Sequence, residues 1–233
     1  MPNPIAHPAA SIPFTKAGMV FSALVIGSIS PDFGYIIPLP TTYFMYTVAG
    51  MVLFNVPMGF ILLWLFHALV KWPMLSLLPE GLQRRLFKYA QGFLFGPLKR
   101  FGMILLSLLV GSLTHVIWDS FTHDYGWLVE HFAFLSIPIR GIPLYTILQS
   151  LSTILGIGIL LYWFIGWLQT APQSDQLPAH FSGVIRTIFF ALTAVSLPDP
   201  TPKITMSESF TPRATALPPI ISPTLEAANG VPF

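Results

Sequence analysis

The sequence predicts an all-α, polytopic membrane helical bundle with a half-span near its N-terminus and a disordered C-terminal tail. Composition is the first reason: of 233 residues, 54% are hydrophobic and only 9% are charged. A soluble domain carries about 25% charged residues, so this chain lacks the polar side chains that a water-facing surface needs. The second reason is that long apolar stretches recur along the chain. The third is that the basic residues cluster between two of them.

The N-terminal part predicts a short buried helix rather than a full span. The apolar stretch 19–29 is shorter than the roughly 20 residues that cross a bilayer. It runs into Ser30-Pro31-Asp32, and the residue before a proline disfavours helix, so we expect a break there. Residues 33–37 continue the half-span. The start of the chain is broken by prolines and lacks a signal peptide's basic cap, so we expect the internal spans to drive insertion into a bacterial inner membrane.

Three longer apolar stretches follow: 43–70, with a kink at Pro57 and Gly59, then 101–121 and 145–168. The loop 71–100 between the first two carries Lys and Arg against a single acid, Glu80. By the positive-inside rule this loop is cytoplasmic. Part of it, 80–95, fits an amphipathic helix on the membrane surface, which makes membrane lipid an expected partner.

The chain divides into a transmembrane domain, residues 1–197, and a Pro-, Ser- and Thr-rich tail, residues 198–233. The domain ends with a shorter apolar run, 184–197. The tail has too little apolar periodicity to pack, which predicts disorder. Its abrupt onset also fits a frameshifted end, and both explanations stay open.

The stretch THVIWDSFTH, residues 114–123, is the most informative for function. His115, Asp119 and His123 are spaced four residues apart, so on a helix they share one face. Ionisable groups at membrane depth are costly and mark functional sites by default. With the basic loop inside, these three residues and Asp32 lie at the outer ends of their helices. His7 joins them only if the entry segment folds back against the half-span.

A divalent metal site, for example zinc, is the functional interpretation of this group. A chain without cysteine has only imidazole and carboxylate as strong metal ligands. His115 and Asp119 would bind from one helix face, with His123, Asp32 and His7 completing the site. The alternative is structural: His115 and Asp119 hydrogen-bond each other within the bundle. For Asp32 and His7 the alternatives are a helix cap and a solvated entry residue.

The other polar residues give weaker indications of function. His67 lies one helix away, at the inner end, and is interpreted as an interfacial histidine. The outer loop carries Asp124, Glu130, His131 and Arg140, interpreted as solvated, with Asp124 as a candidate support for the metal ligands. No basic and aromatic platform faces water, so nucleic acid is not an expected partner.

Several motifs in the same order resemble one family of uncharacterised bacterial membrane proteins, the domain of unknown function family 4184. They are AHPAA at 6–10, SALVIGSISPDFGY at 22–35, LLWLFHALV at 62–70, GSLTHVIWDSFTH at 111–123 and GIPLYTILQ at 141–149. The resemblance covers about residues 1 to 170. This family is in turn similar to membrane-bound metal-dependent hydrolases, and its HxxxD resembles a ligand pair of the zinc-dependent phospholipase C fold.

The resemblance implies a set of site residues: His7, Asp32, His115 and Asp119 as metal ligands, and His123 as a further ligand or acid–base group. The relatives place another histidine ahead of the glycine that begins the second span. Tyr46 stands there in this chain, which favours one ion over two. The function implied is hydrolysis of a phosphoester or lipid-like substrate at the outer face, with Asp32 or His123 as catalytic base. The alternative is a non-enzymatic membrane protein whose cluster is structural or only binds a metal.

Overall fold

The computed structural model describes residues 4–36 and 42–176, and in these ranges the chain is built almost entirely from helices. The all-α class is therefore confirmed for the described part. The apolar run 184–197, the tail and the domain boundary at residue 197 lie outside the described residues.

The entry segment folds back over the first buried helix. This was the condition for His7 to join the other candidate site residues. It consists of a 3-10 turn, Pro4–Ala6, the short helix α1, Pro8–Ser11, and a second 3-10 segment, Ile12–Ala17. Gly18 then reverses the chain with φ of 78°, a conformation that glycine adopts without strain. As a result α1 packs against the next helix of the chain and against two of the long helices.

The predicted half-span is the helix α2, Phe21–Ile29, whose nine residues extend over about 14 Å. A bilayer core is about 30 Å thick, so α2 reaches only part of the way across. Pro31 ends it: Ser30–Asp32 is a 3-10 turn, followed by α3, Phe33–Ile36.

Three helices are long and apolar enough to cross a membrane, within the part of the chain that the structure describes. They are α4, Val48–Ser76, preceded by a 3-10 turn at Thr42–Tyr46; α6, Leu98–Thr122; and α8, Leu144–Thr170. The predicted irregularity in α4 takes the form of π-helical turns at Met51–Asn55 and Phe66–Val70. Pro57 follows the first of these turns and cannot donate its backbone nitrogen to the turn before it.

The basic loop holds the amphipathic helix α5, Glu80–Ala90, which is shorter than the predicted 80–95. Its Gln83 and Phe87 are buried. Arg85 Nη1 donates to the carbonyls of Leu168 and Ala171, at 2.6 and 2.8 Å, and so satisfies carbonyls at the C-terminal end of α8. This contact fixes α5 at that end of the bundle.

The opposite end is covered by the connection between α6 and α8. It contains the short helix α7, Trp127–His131, a 3-10 turn, Ala133–Ser136, and a hairpin in which β1, Pro138–Ile139, pairs antiparallel with β2, Ile142–Pro143. The connection packs on α6 and α8, above the histidine and aspartate residues.

The parallel packing of α2 on α6 sets the site geometry. The Val20 backbone donates to Ser107 Oγ, and eight residues further along both helices Ser28 meets His115. Gly27 and Gly111 allow the close approach, since a Cβ on either would clash with a backbone carbonyl of the other helix. The apolar core lies below, formed by Ala23, Val56, Leu63, Ile104 and Leu108.

Candidate metal centre

The structure brings the five predicted site residues together. His115 Nε2 lies 3.0 Å from Asp119 Oδ2 and 3.4 Å from Asp32 Oδ1. The other carboxylate oxygen of Asp119, Oδ1, is 3.6 Å from His7 Nε2 and 3.5 Å from His123 Nδ1. Asp32 alone keeps appreciable exposure, 19% of its side chain, and the other four are buried. Asp32 therefore forms the open side of the cluster.

The end of α2 orients His115. The final carbonyls of a helix have no partner inside the helix. Here the Ser28 carbonyl accepts a hydrogen bond from His115 Nδ1 at 2.7 Å, and Ser30 Oγ donates to the Gly27 carbonyl at 2.9 Å. Because a carbonyl can only accept, His115 Nδ1 carries the proton. In the neutral ring Nε2 then keeps a lone pair, and this nitrogen faces the carboxylates.

Two atoms in the middle of the cluster lack the hydrogen bonds that buried polar atoms normally make. They are His115 Nε2 and Asp119 Oδ1, both buried and without a hydrogen-bond partner among the described residues. Ligand atoms of His7, Asp32 and His115 all lie within 4.8 Å of one another. Ligands about 2 Å from a shared ion lie at most about 4 Å apart, so this spacing is close to that of an occupied site. The donor set therefore fits a divalent cation.

His7 reaches the cluster from the entry segment, and its ring centroid is 3.9 Å from that of His115. Burial, with a second contribution from the neighbouring His115, lowers the pKa of His7 to about 4. A neutral imidazole is the form that ligates metals, so the environment of His7 suits a ligand.

His123 reaches the cluster from the C-cap of α6 and not, as predicted, from a further turn of the helix. The helix ends at Thr122 and His123 is extended, with φ of −123°, rather than one more turn along the helix. The Thr122 hydroxyl donates to the Trp118 carbonyl, so its oxygen accepts from His123 Nδ1 at 3.2 Å. Gln149 Nε2 lies 3.2 Å from His123 Nε2 and supplies the donor for that nitrogen. The Nδ1–H edge of His123 thus faces Asp119.

The contacts that three further residues make at the site were not predicted from the sequence. These residues are Ser28, Gln149 and Tyr46. Tyr46 was identified as a departure from the relatives, and the structure shows what it contacts: its hydroxyl donates to Asp32 Oδ1 at 3.3 Å. Gln149 could have been found as an amide near the start of an apolar helix. Ser28 acts through its backbone, which no residue pattern shows.

The remaining polar residues lie apart from the cluster's contacts. Asp124 is exposed and accepts from the Tyr125 backbone, and His131 is exposed and bonded to the Trp127 carbonyl. His67 Nε2 lies 3.1 Å from Ser22 Oγ, and its ring stacks on Phe93 at the other end of the bundle.

The comparison with protein families gives one assignment. The model of the family described as Domain of unknown function (DUF4184) matches residues 1–218, and the chain belongs to this family. No curated protein and no solved structure matches the chain.

Proposed function

We propose that this family member is a membrane-embedded, metal-dependent hydrolase of a phosphoester or lipid-like substrate at the outer membrane face. One observation carries the proposal: His115 Nε2 and Asp119 Oδ1 are buried without hydrogen-bond partners at the centre of a cluster of histidines and aspartates. Leaving two such atoms unsatisfied in a protein interior is costly, and a cation would satisfy both.

The ligands proposed are His7, Asp32, His115 and Asp119, around one divalent ion such as zinc. When bound, such an ion lowers the pKa of a coordinated water and stabilises negative charge on a reacting oxygen. The chain's own residues would orient the substrate and deprotonate the attacking water. Asp32 or His123 would accept the proton of the attacking water, the ester P–O bond would break, and the leaving alcohol would take up a proton.

Asp32 is the better placed of the two bases. It lies on the open side, and the Tyr46 hydroxyl bonded to its Oδ1 orients the carboxylate. Both nitrogens of His123 already have partners, Thr122 and Gln149. The role proposed for His123 is therefore to position Asp119 by close packing, with Nδ1 3.5 Å from Asp119 Oδ1.

A lipid-like substrate is favoured by the surroundings of the site. The outer half of α6 exposes Ile117, Trp118 and Phe121, by 50%, 40% and 43%, on the helix that carries His115 and Asp119. Apolar side chains at this level would face acyl chains, so a headgroup ester would reach Asp32 without leaving the bilayer interface.

A second candidate is a non-enzymatic protein in which the cluster holds a metal or stabilises the bundle. The burial of His7, His115, Asp119 and His123 favours it, because little of the cluster is open to a substrate. Polar side chains between helices commonly serve as such internal contacts.

Elemental analysis of the purified full chain tests the metal site. We expect a divalent metal in the wild type, and its loss in His115→Ala and Asp119→Ala. His67→Ala, which removes a histidine at the other end of the bundle, is the matched control and should retain it. Unchanged metal content in both site variants would exclude these ligands.

Turnover separates the two candidates once a metal is found. The loaded protein is assayed with phosphodiesters and phospholipids, beside Asp32→Asn. Hydrolysis that Asp32→Asn abolishes supports the enzyme. Metal binding without hydrolysis of any of these substrates favours the structural alternative.

A further inference from the structure

The basic end of the bundle, opposite the metal centre, carries cations without acidic partners. The single acid of the 71–100 loop, Glu80, is bound by Arg84 at 2.7 Å. Arg85 is occupied by the carbonyls at the end of α8. Among the described residues this leaves the following cations without an ion pair: Lys71, Lys88, Lys99 and Arg100.

Two of these cations, on different helices, have aromatic contacts at this end of the bundle. Phe93 stacks on His67 with ring centroids 3.5 Å apart and an interplanar angle of 8°. Arg100 Cζ lies 5.4 Å from the centroid of Phe93. Lys71 follows His67 along α4, with its Nζ 5.0 Å from the Trp72 ring. Lys71 is four residues after His67 in α4, about one helical turn away.

The position of Arg100 is fixed while part of its guanidinium stays available. Its Nε donates to the Leu94 carbonyl at 2.8 Å. In the described part of the chain no hydrogen bond engages its two terminal nitrogens. A guanidinium held in this way is suited to two-point contact with a phosphate.

Exposed apolar side chains lie close in sequence to these two cations. Leu69 is 59% exposed, Leu94 65% and Leu98 86%, and each is close in sequence to Lys71 or Arg100. Exposed apolar groups next to unpaired cations match a ligand with a negative head and apolar chains. A free phosphate ion would use only the cations.

We infer that Lys71 and Arg100 form a binding site for the phosphate of an anionic phospholipid in the leaflet at the basic end of the bundle. Phe93 and His67 supply an aromatic surface beside Arg100, and the exposed leucines contact the acyl chains. Basic side chains at a membrane surface attract anionic lipids, with each Lys or Arg adding to the affinity. This inference is independent of the metal centre, which lies at the other end of α4 and α6.

The test is thermal unfolding of the purified full chain in detergent with added phosphatidylglycerol, phosphatidylcholine or inorganic phosphate. Phosphatidylglycerol should raise Tm, and the other two should not. The apparent lipid affinity should fall roughly fivefold in Lys71→Gln and again in Arg100→Gln. Lys99→Gln is the matched control: it removes the same charge next to Arg100 without the contact to Phe93, and it should lower the affinity less than either site variant does; an equal fall would mean attraction by surface charge in general.

Three further outcomes would overturn the inference. An equal effect of phosphatidylcholine would mean that only acyl chains bind, and an equal effect of inorganic phosphate would mean a simple anion site. Unchanged affinity in both Lys71→Gln and Arg100→Gln would place the lipid elsewhere. The lipid comparison on the unaltered chain tests the class of ligand even if a variant fails to fold.

Discussion

At the scale of single residues, His115 in α6 and His123 at its C-cap differ in their hydrogen bonds, which indicates different roles. His115 donates a hydrogen bond from Nδ1–H to the Ser28 carbonyl, and the lone pair on its Nε2 faces the carboxylates. His123 turns its Nδ1–H edge toward Asp119 and has its other nitrogen bonded to Gln149. Residues that orient a ligand typically contribute 10–100-fold to metal affinity, whereas a lost ligand removes the site.

The first prediction follows from this difference. Gln149→Leu and His123→Asn should weaken metal affinity about 10–100-fold while a full complement still binds at saturation. His115→Ala should bind less than this full complement of metal, even at saturation. Titration with a competing chelator measures both quantities. Loss of stoichiometry in His123→Asn, to the level of His115→Ala, would make His123 a ligand.

The second prediction concerns Tyr46, whose hydroxyl contacts Asp32. Tyr46→His would place a metal-ligating nitrogen beside a carboxylate that already belongs to the cluster, so we expect a second ion per chain by elemental analysis. Tyr46→Phe serves as the control, because it removes the hydroxyl and adds no ligand, and it should keep the wild-type stoichiometry. An unchanged metal count in Tyr46→His would show that the residue is not in reach of a second ion.

At the scale of elements, the site depends on how closely α2 approaches α6. Gly27 contacts the Leu108 backbone, and a Cβ on Gly111 would come within 2.8 Å of the Ser28 nitrogen. Ser28 in turn orients His115. The two glycines at this crossing therefore determine the position of the candidate metal ligands, although they make no polar contact with them.

The third prediction is that Gly111→Ala forces α2 and α6 apart. Overpacking of this kind costs about 1–3 kcal/mol of the free energy of unfolding, and the displaced Ser28 carbonyl should also lower metal affinity. Gly102→Ala is the control, since a Cβ at Gly102 meets nothing within 4 Å. That change should leave metal binding intact and be neutral or slightly stabilising in a helix. Denaturation and metal titration measure the two effects, and equal behaviour of the two variants would contradict the argument.

The same helix crossing shows what the sequence could and could not predict. Hydropathy predicted the three long helices to within a few residues at most ends, and Pro31 predicted the end of the half-span, because both signals are local. The sequence predicted the proximity of His7 to Asp119 only on a condition, because this proximity depends on the fold of the entry segment. The spacing predicted that His123 lies beside Asp119, but it does so from the C-cap of α6 rather than from a further turn, because the helix stops at Thr122.

At the scale of the whole molecule, the basic surface and the metal centre lie at opposite ends. The helix α8 connects them: Gln149 meets His123 near its start, and Leu168 meets Arg85 near its end. Those positions are nineteen residues apart, which on a helix is about 28 Å, close to the thickness of the hydrocarbon core of a bilayer. A bundle with this arrangement would present its two surfaces to different sides of a membrane.

The fourth prediction tests that arrangement with single cysteines. The chain contains none, so Lys88→Cys and Asp124→Cys each introduce one thiol, both at exposed positions. In intact cells a membrane-impermeant maleimide should label the cysteine at position 124 and not the one at position 88, which should react only after permeabilisation. This outcome follows if the basic loop is held inside by its charges. Labelling of both positions in intact cells would place the metal centre and the basic surface on the same side, and the outer-face substrate would no longer follow from the sequence.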